Sequence, residues 1–150
     1  MKITLKLLAI IIFISIFCSS NFVFAKKAAI IIDYDTQEVL FEVNADTLNY
    51  PASLVKMMTL YILFDYLDKN MIQLDTKMKV SEVAASRSPS KLYLKAGSNI
   101  NVENAIMALV TKSANDVATV IAEYISGTER DFAKLMTKYA KKIGMTKTTY

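Results

Sequence analysis

The stretch PASLVKMMTLYILF, residues Pro51–Phe64, limits most strongly how this chain can fold. Lys56 is its only charged side chain, and apolar and aromatic residues fill most of the other positions. On a helix these residues point in every direction, which is typical of a helix buried on most sides. We predict such a helix over Ser53–Asp68. A lone amine in these surroundings is costly unless it has a partner or loses its charge.

The first 25 residues have the order of a secretory signal peptide. Lys2 and Lys6 precede the apolar run Leu7–Phe17, and Val23-Phe24-Ala25 can serve as the cleavage site. The alternative is an uncleaved membrane anchor, but the run is shorter than the roughly 20 residues of a membrane span. We therefore predict that residues 1–25 are a signal peptide and residues 26–150 the mature part. The mature part is expected to be secreted across the cytoplasmic membrane into the periplasm or cell envelope.

Two residue types needed for common catalytic sites are missing from the predicted mature part. The sequence has no His, and its only Cys, Cys18, lies in the predicted signal peptide. This excludes a Ser-His-Asp triad, a Cys nucleophile, a disulfide and a His/Cys zinc site there. A nucleophilic reaction carried out with these residues must therefore use Lys, Asp, Glu or Tyr as its base, and we expect no metal or cofactor. The formal net charge is +4 without a basic tract, so nucleic acid is not an expected partner.

Two apolar runs near the start of the mature part predict a β-hairpin. Ala28–Ile32 and Val39–Val43 flank the polar turn Asp35–Glu38, which lacks the usual Gly. A two-stranded hairpin is marginal by itself and needs helices or further strands to pack against. Residues 71–98 are mostly polar, and we expect loops with short elements, including a strand at Leu92–Leu94.

Helix signals dominate the last third of the sequence. Asn101 can cap a helix that starts at Val102, and we expect a break between Thr111 and Asn115. A second helix is predicted over Asp116–Ile125, ended by Gly127. A third begins after Thr128, which has capping-box spacing to Asp131, and stops at Gly144. Its predicted apolar side consists of Phe132, Leu135, Met136, Tyr139 and Ile143.

Ser53 and Lys56 have the spacing of a nucleophile and its base. Residues three apart share one face of a helix, and the helix start favours developing negative charge near Ser53. Desolvation lowers the pKa of an amine, and a neutral amine can accept a hydroxyl proton. The structural alternative is that Ser53 only caps the helix while Lys56 extends to solvent. Ser88 and Lys91 repeat the spacing in a Pro-containing polar loop, where we expect Lys91 to be hydrated.

A second candidate group is Ser113-Ala114-Asn115 at the predicted break between two helices. In a tight turn, the hydroxyl of Ser113 and the amide of Asn115 can point into the same cleft. The alternative is that the three residues form a capping turn for the helix that follows.

Five segments, in this order, resemble the serine-type D-alanyl-D-alanine carboxypeptidases, the low-molecular-weight penicillin-binding proteins: DYDTQEVLFEVNAD, PASLVKMMT, SKLYLKAG, TKSANDVATVIAEYISG and FAKLMTKYAKKIGMTKT. The family signature includes Ser-x-x-Lys, Ser-x-Asn and Lys-Thr-Gly. The first two occur here, but the 150 residues contain no Lys-Thr-Gly. The sequence therefore resembles the amino-terminal part of that domain. Gln37 and Ala114 stand where the carboxypeptidases usually have Gly.

The resemblance implies an α+β, β-lactamase-like fold, an antiparallel sheet with a helical cluster in which the helix carrying Ser53 is central. It implies that Ser53 is the nucleophile, Lys56 its base, Ser113 a proton relay and Asn115 a substrate-binding residue. The implied reaction removes the terminal D-alanine from peptidoglycan stem peptides through an acyl-enzyme. β-Lactam antibiotics are the second implied ligand, and membrane association is implied only through a carboxy-terminal segment beyond residue 150.

Without Lys-Thr-Gly, the 150-residue chain is expected to be nearly inactive by itself. Two alternatives to the carboxypeptidase remain. One is a β-lactamase or endopeptidase of the same fold, although Ala114 stands where a β-lactamase would have Asp. The other is a secreted domain without catalytic activity.

Overall fold

The computed structural model describes residues 27–150, so the predicted signal peptide lies outside the described residues. These residues divide into two units, 27–50 and 51–150. The first unit is the predicted hairpin, with β1 (Ala29–Ile32) antiparallel to β2 (Val39–Val43). The side chains of both strands are exposed, so this unit buries no core of its own.

The hairpin turn forms without glycine because other residues supply its geometry. Gln37 takes the left-handed backbone conformation, with φ of 60°. The Asp33 carboxylate accepts hydrogen bonds from the backbone amides of Asp35, at 3.1 Å, and Thr36, at 2.8 Å. Asp side chains commonly stabilise turns in this way.

The second unit is mostly helical. Its elements after the 3-10 turn Ala52–Leu54 are, in chain order, α1 (Val55–Asp68), β3 (Lys77–Lys79), α2 (Glu82–Ala85), β4 (Asn99–Asn101), α3 (Val102–Lys112), α4 (Asn115–Ser126) and α5 (Glu129–Lys142). Strands β3 and β4 pair antiparallel, with Met78 opposite Ile100. Among residues 27–150, no helix has both the length and the apolar content that crossing a membrane requires.

The core forms around α4, which packs against α1, α2, α3 and α5. The larger apolar side chains that are wholly buried there include Ile62 and Leu63 of α1, Met78 of β3, Val102 of α3, and Val117, Val120 and Ile121 of α4. Tyr139 of α5 fixes α1 by donating a hydrogen bond of 2.5 Å to the carboxylate of Asp65. The three helices predicted in the last third of the sequence are therefore confirmed, and they pack against α1, the helix that follows Ser53.

The predicted helix caps are confirmed. Asn101 accepts a hydrogen bond of 2.9 Å from the Asn104 amide at the start of α3. Thr128 accepts one of 3.1 Å from the Asp131 amide at the start of α5. On the predicted apolar side of α5, Phe132 and Met136 are buried, but Ile143 is 46% exposed because the helix ends before it.

Two features differ from the predictions. Helix α1 is buried along one side only, because it packs against α3, α4 and α5 there. Its other side exposes Met57, Tyr61 and Phe64, and Leu54 just before the helix is exposed as well. The predicted strand at 92–94 is wrong, since the amides of Leu92 and Leu94 donate to the Asp116 carboxylate and not to a neighbouring strand.

Candidate active site

Ser53 lies in the 3-10 turn that leads into α1, and it is exposed to solvent. The turn closes through a backbone hydrogen bond of 3.1 Å from the Leu54 amide to the Pro51 carbonyl. Pro51 and Leu54 occupy the N-cap positions of the turn and of α1, and neither cap uses a side-chain hydrogen bond. Among the described residues, the Ser53 hydroxyl therefore does not cap the helix, which was the alternative that the sequence left open.

Lys56 lies in the first turn of α1, three residues after Ser53, and is half-buried. Burial lowers the pKa of its amine, because removing water disfavours the charged form. The ion pairs among residues 27–150 are Lys69–Asp65, Arg87–Glu129 and Lys134–Asp131, and none of them includes Lys56. Desolvation of this amine is thus not offset by a carboxylate, which favours the neutral form that a base requires.

Ser113 occupies the connection between α3 and α4, where the sequence predicted a break. It has the left-handed conformation, with φ of 55° and ψ of 43°, and is half-buried. Its amide donates to the Leu109 carbonyl at 3.1 Å, which ends α3. Ala114, wholly buried, is the N-cap residue of α4 and makes no side-chain cap. Neither Ser113 nor Asn115 therefore caps α4 through its side chain.

Asn115 opens α4 and is held by the preceding loop. Its backbone amide donates to the Ser90 carbonyl at 2.7 Å, and its side-chain Nδ2 donates to the Ser88 carbonyl at 3.0 Å. Ser90 Oγ adds a third link, donating to the Lys112 carbonyl at 2.6 Å. The amide group of Asn115 consequently has a fixed orientation, and its Oδ1 accepts no hydrogen bond from the described residues.

The second Ser-x-x-Lys pattern has no helix to align it. Ser88 and Lys91 lie in an irregular segment. The ammonium of Lys91 donates to the Ala85 carbonyl at 3.0 Å and lies 5.2 Å from the centre of the Tyr93 ring. The expectation that Lys91 is simply hydrated is wrong, because its ammonium contacts a backbone carbonyl and an aromatic ring instead. Of the two patterns, only Ser53 and Lys56 combine helical alignment with a desolvated amine.

The four candidate residues fall into two pairs on neighbouring elements. Ser53 and Lys56 lie at the start of α1, Ser113 and Asn115 lie between α3 and α4, and α1 packs against both of those helices. No hydrogen bond among residues 27–150 joins one pair to the other. An open cavity of about 760 Å³ lies beside α3, lined in part by Lys77, Asn101 and Met107, and contains none of the four.

A family model described as D-alanyl-D-alanine carboxypeptidase, peptidase S11, matches residues 18–150. The chain belongs to this family. The match spans all four candidate residues, and it confirms the resemblance seen in the sequence segments.

Curated carboxypeptidases are similar to this S11 chain over most of its length. D-alanyl-D-alanine carboxypeptidase DacF of Bacillus subtilis is 36% identical over 124 residues, which is 83% of this chain and 32% of the relative. DacC of Escherichia coli is 36% identical over 130 residues, again 83% of this chain and 32% of the relative. The chain thus spans about a third of the length of these relatives.

Solved structures of the family show the same fold. The D-alanyl-D-alanine carboxypeptidase DacD from Francisella tularensis matches with a TM-score of 0.78 and 40% identity, covering 82% of this chain and 30% of that one. Penicillin-binding protein D2 from Listeria monocytogenes, in its ampicillin-bound form, matches with a TM-score of 0.72 and 33% identity, covering 87% and 52%. The S11 chain therefore has the penicillin-binding-protein fold over the part of it that these structures match, as expected from its sequence.

Sequence reasoning missed one buried group of this S11 chain next to Asn115. Asp116 is wholly buried, and its carboxylate accepts hydrogen bonds from the amides of Leu92, at 3.0 Å, and Leu94, at 3.1 Å. The sequence marked Asp116 only as the start of a helix. The available signal was a lone acid between the motif and the apolar run VATVIA, since a charge in such surroundings requires dedicated donors.

Proposed function

We propose that this chain is the nucleophile-bearing part of a serine-type D-alanyl-D-alanine carboxypeptidase. The observation that carries the proposal is the pair at the start of α1: an exposed Ser53 that caps no helix, and a half-buried Lys56 without a carboxylate partner. An acyl-transfer enzyme without His needs a hydroxyl and a neutral base arranged in this way.

In the first half of the reaction, Ser53 Oγ attacks the carbonyl carbon of the peptide bond between two D-alanines. Its proton moves to the neutral amine of Lys56. The carbon–nitrogen bond then breaks, and the Lys56 ammonium passes this proton through the hydroxyl of Ser113 to the nitrogen of the leaving D-alanine, so that Lys56 is neutral again. The stem peptide remains as an ester on Ser53, and the backbone N–H of Ser53 donates to the negatively charged oxygen in the transition state.

In the second half, a water molecule gives a proton to the base and attacks the ester. The ester bond breaks, Ser53 recovers its proton, and the shortened stem peptide leaves. Asn115 holds the substrate amide throughout, using the part of its side-chain amide that the Ser88 carbonyl leaves free. β-Lactams acylate the same serine, which agrees with the ampicillin complex of the Listeria relative.

The location follows from the substrate. Peptidoglycan lies outside the cytoplasmic membrane, so the protein works in the periplasm or cell envelope, to which the predicted signal peptide would direct it.

Residues 27–150 alone are expected to release D-alanine very slowly. In the family, the Lys-Thr-Gly strand supplies the second donor to the oxyanion and binds the terminal carboxylate. The loss of one such donor costs about 10²–10³ in rate. Purified residues 26–150 with a D-alanyl-D-alanine pentapeptide test this, and release at a rate normal for an enzyme would contradict it.

The decisive experiment joins residues 27–150 to the remainder of the Francisella carboxypeptidase, replacing the matching segment. The chimaera is treated with fluorescent penicillin, and the labelled peptide is identified by mass spectrometry. We expect label on Ser53 that is lost in Ser53→Ala and strongly reduced in Lys56→Met. Lys69→Met is the matched control, because Lys69 is the C-cap residue of the same helix and pairs with Asp65.

Each outcome of the labelling experiment separates two functions. Label on Ser53 with release of D-alanine from a pentapeptide supports the carboxypeptidase, whereas rapid hydrolysis of the penicillin itself supports a β-lactamase. A folded chimaera without label leaves only the domain without catalytic activity.

A further inference from the structure

The orientation of Asn115 depends on a loop and not on a helix or strand. Its two donated hydrogen bonds both go to backbone carbonyls of the 87–94 segment, at Ser88 and Ser90. No residue of this segment belongs to a helix or strand. These two carbonyls must therefore be held in place by hydrogen bonds other than those of a helix or a sheet.

The segment is anchored at both of its ends. At the first end, Arg87 donates to the Thr119 hydroxyl at 3.1 Å and forms an ion pair with Glu129. At the other end, the amides of Leu92 and Leu94 donate to the carboxylate of Asp116. The carbonyls that orient Asn115 lie between the two anchors.

Asp116 is the more deeply buried of the two anchors. It is wholly inaccessible to solvent, takes part in none of the ion pairs of residues 27–150, and accepts hydrogen bonds only from backbone amides. One comes from Val117 at 2.9 Å, which any acid at the start of α4 could accept. The other two come from residues more than 20 positions earlier in the chain.

A helix start does not require such burial. Asp131 also lies in the first turn of its helix, one position further from the N-cap than Asp116, yet it is exposed and paired with Lys134. Burial of a carboxylate is costly and is tolerated only when hydrogen bonds satisfy it. The burial of Asp116 is thus explained by the segment it holds and not by the helix it begins.

We propose that Asp116 is a positioning residue: through the amides of Leu92 and Leu94 it fixes the 87–94 segment. The Ser90 carbonyl of this segment then holds the Asn115 backbone, and its Ser88 carbonyl orients the Asn115 side-chain amide toward the substrate amide. Asp116 itself touches no substrate. The importance of this orientation for catalysis rests on the proposed function, but the coupling between Asp116 and Asn115 does not.

The first test uses nuclear magnetic resonance on the 150-residue chain without substitution. Couplings across the hydrogen bonds should connect the Leu92 and Leu94 nitrogens to the Asp116 carboxyl carbon. The amide protons of both leucines and the bonded Nδ2 proton of Asn115 should exchange with one shared opening rate. Three unrelated exchange rates, or no coupling to Asp116, would overturn the proposal even if every variant failed to fold.

The second test compares Asp116→Asn with the matched variant Asp131→Asn. The Asn at 116 can accept from one leucine amide, but its NH₂ group faces the other. Losing a hydrogen bond to a charged group should speed amide exchange at Leu92 or Leu94 roughly 10- to 100-fold. The Nδ2 resonances of Asn115 should move toward those of a free amide, while Asp131→Asn leaves them unchanged.

These signals separate the proposal from a purely structural role and from the proposed function. If Asp116→Asn lowers the melting temperature but leaves the Asn115 resonances in place, Asp116 only stabilises the fold and the proposal is wrong. In the penicillin-labelled chimaera, Asp116→Asn should slow acylation with little loss of folded protein. If the unsubstituted chimaera takes no label, the carboxypeptidase proposal fails, and the resonance test still decides the coupling.

Discussion

The backbone of Ser113 predicts that glycine at this position would stabilise the fold while slowing the proposed acylation. A residue with a Cβ costs about 1–2 kcal/mol in the left-handed conformation, whereas glycine avoids the clash. Glycine loses about 0.4–1 kcal/mol of this gain through the greater freedom of the unfolded chain. The hydroxyl of Ser113 makes no hydrogen bond with the described residues, so its removal should cost little.

Ser113→Ala is the matched control, because it removes the same hydroxyl and keeps the Cβ. We expect Ser113→Gly to be more stable than Ser113→Ala by about 0.5–1 kcal/mol, or about 1–4 °C in melting temperature for a protein of this size. Urea titration and thermal melting followed by circular dichroism measure the difference. In the chimaera, both variants should acylate slowly. If the glycine variant is the less stable of the two, the left-handed conformation does not cost what the reasoning requires.

Three further predictions follow from the described contacts. Gln37→Gly should slow amide exchange in the β1–β2 hairpin, because Gln37 has φ of 60°, and faster exchange would count against the turn geometry. Tyr139→Phe should lower the melting temperature, because it removes the hydrogen bond to Asp65. The pKa of Tyr139 is raised to about 12, so its hydroxyl carries the donated proton at every pH below that value. An unchanged melting temperature at pH 7 would contradict the hydrogen bond. Lys56→Met should remove a rise in stability with pH. Between its lowered native pKa and its ordinary pKa the unfolded chain binds more protons at Lys56, so stability rises with pH there, and identical pH profiles for both proteins would refute this.

The parts of the fold that the sequence predicted are those with local causes. The strands of the hairpin, the caps at Asn101 and Thr128, and the break before Asn115 depend on residues close in the chain. The two-stranded sheet of β3 and β4 was missed, because each strand has only three residues and one buried side chain.

Features set by distant contacts were not predictable in this way. Leu92–Leu94 has the composition of a strand, but the carboxylate of Asp116 takes its amides. Helix α1 has apolar residues on every side, so its sequence does not show which side becomes buried against α3, α4 and α5. Ser53 and Lys56 could be selected by their spacing, whereas the absence of a side-chain cap at Ser53 and the burial of the Lys56 amine could be read only from the structure.

The proposed chemistry depends most directly on the protonation of Lys56, and its pKa can be measured in the 150-residue chain. The chain is labelled with ¹³C at lysine Cε, and the Lys56 signal, assigned through its loss in Lys56→Met, is followed from pH 6 to pH 12 by magnetic resonance. Burial without an ion-pair partner predicts a midpoint below that of a lysine in a short model peptide. A midpoint equal to that of the peptide, in a folded chain, would show a hydrated cation at this position, and Lys56 could not then accept the proton of Ser53 at neutral pH.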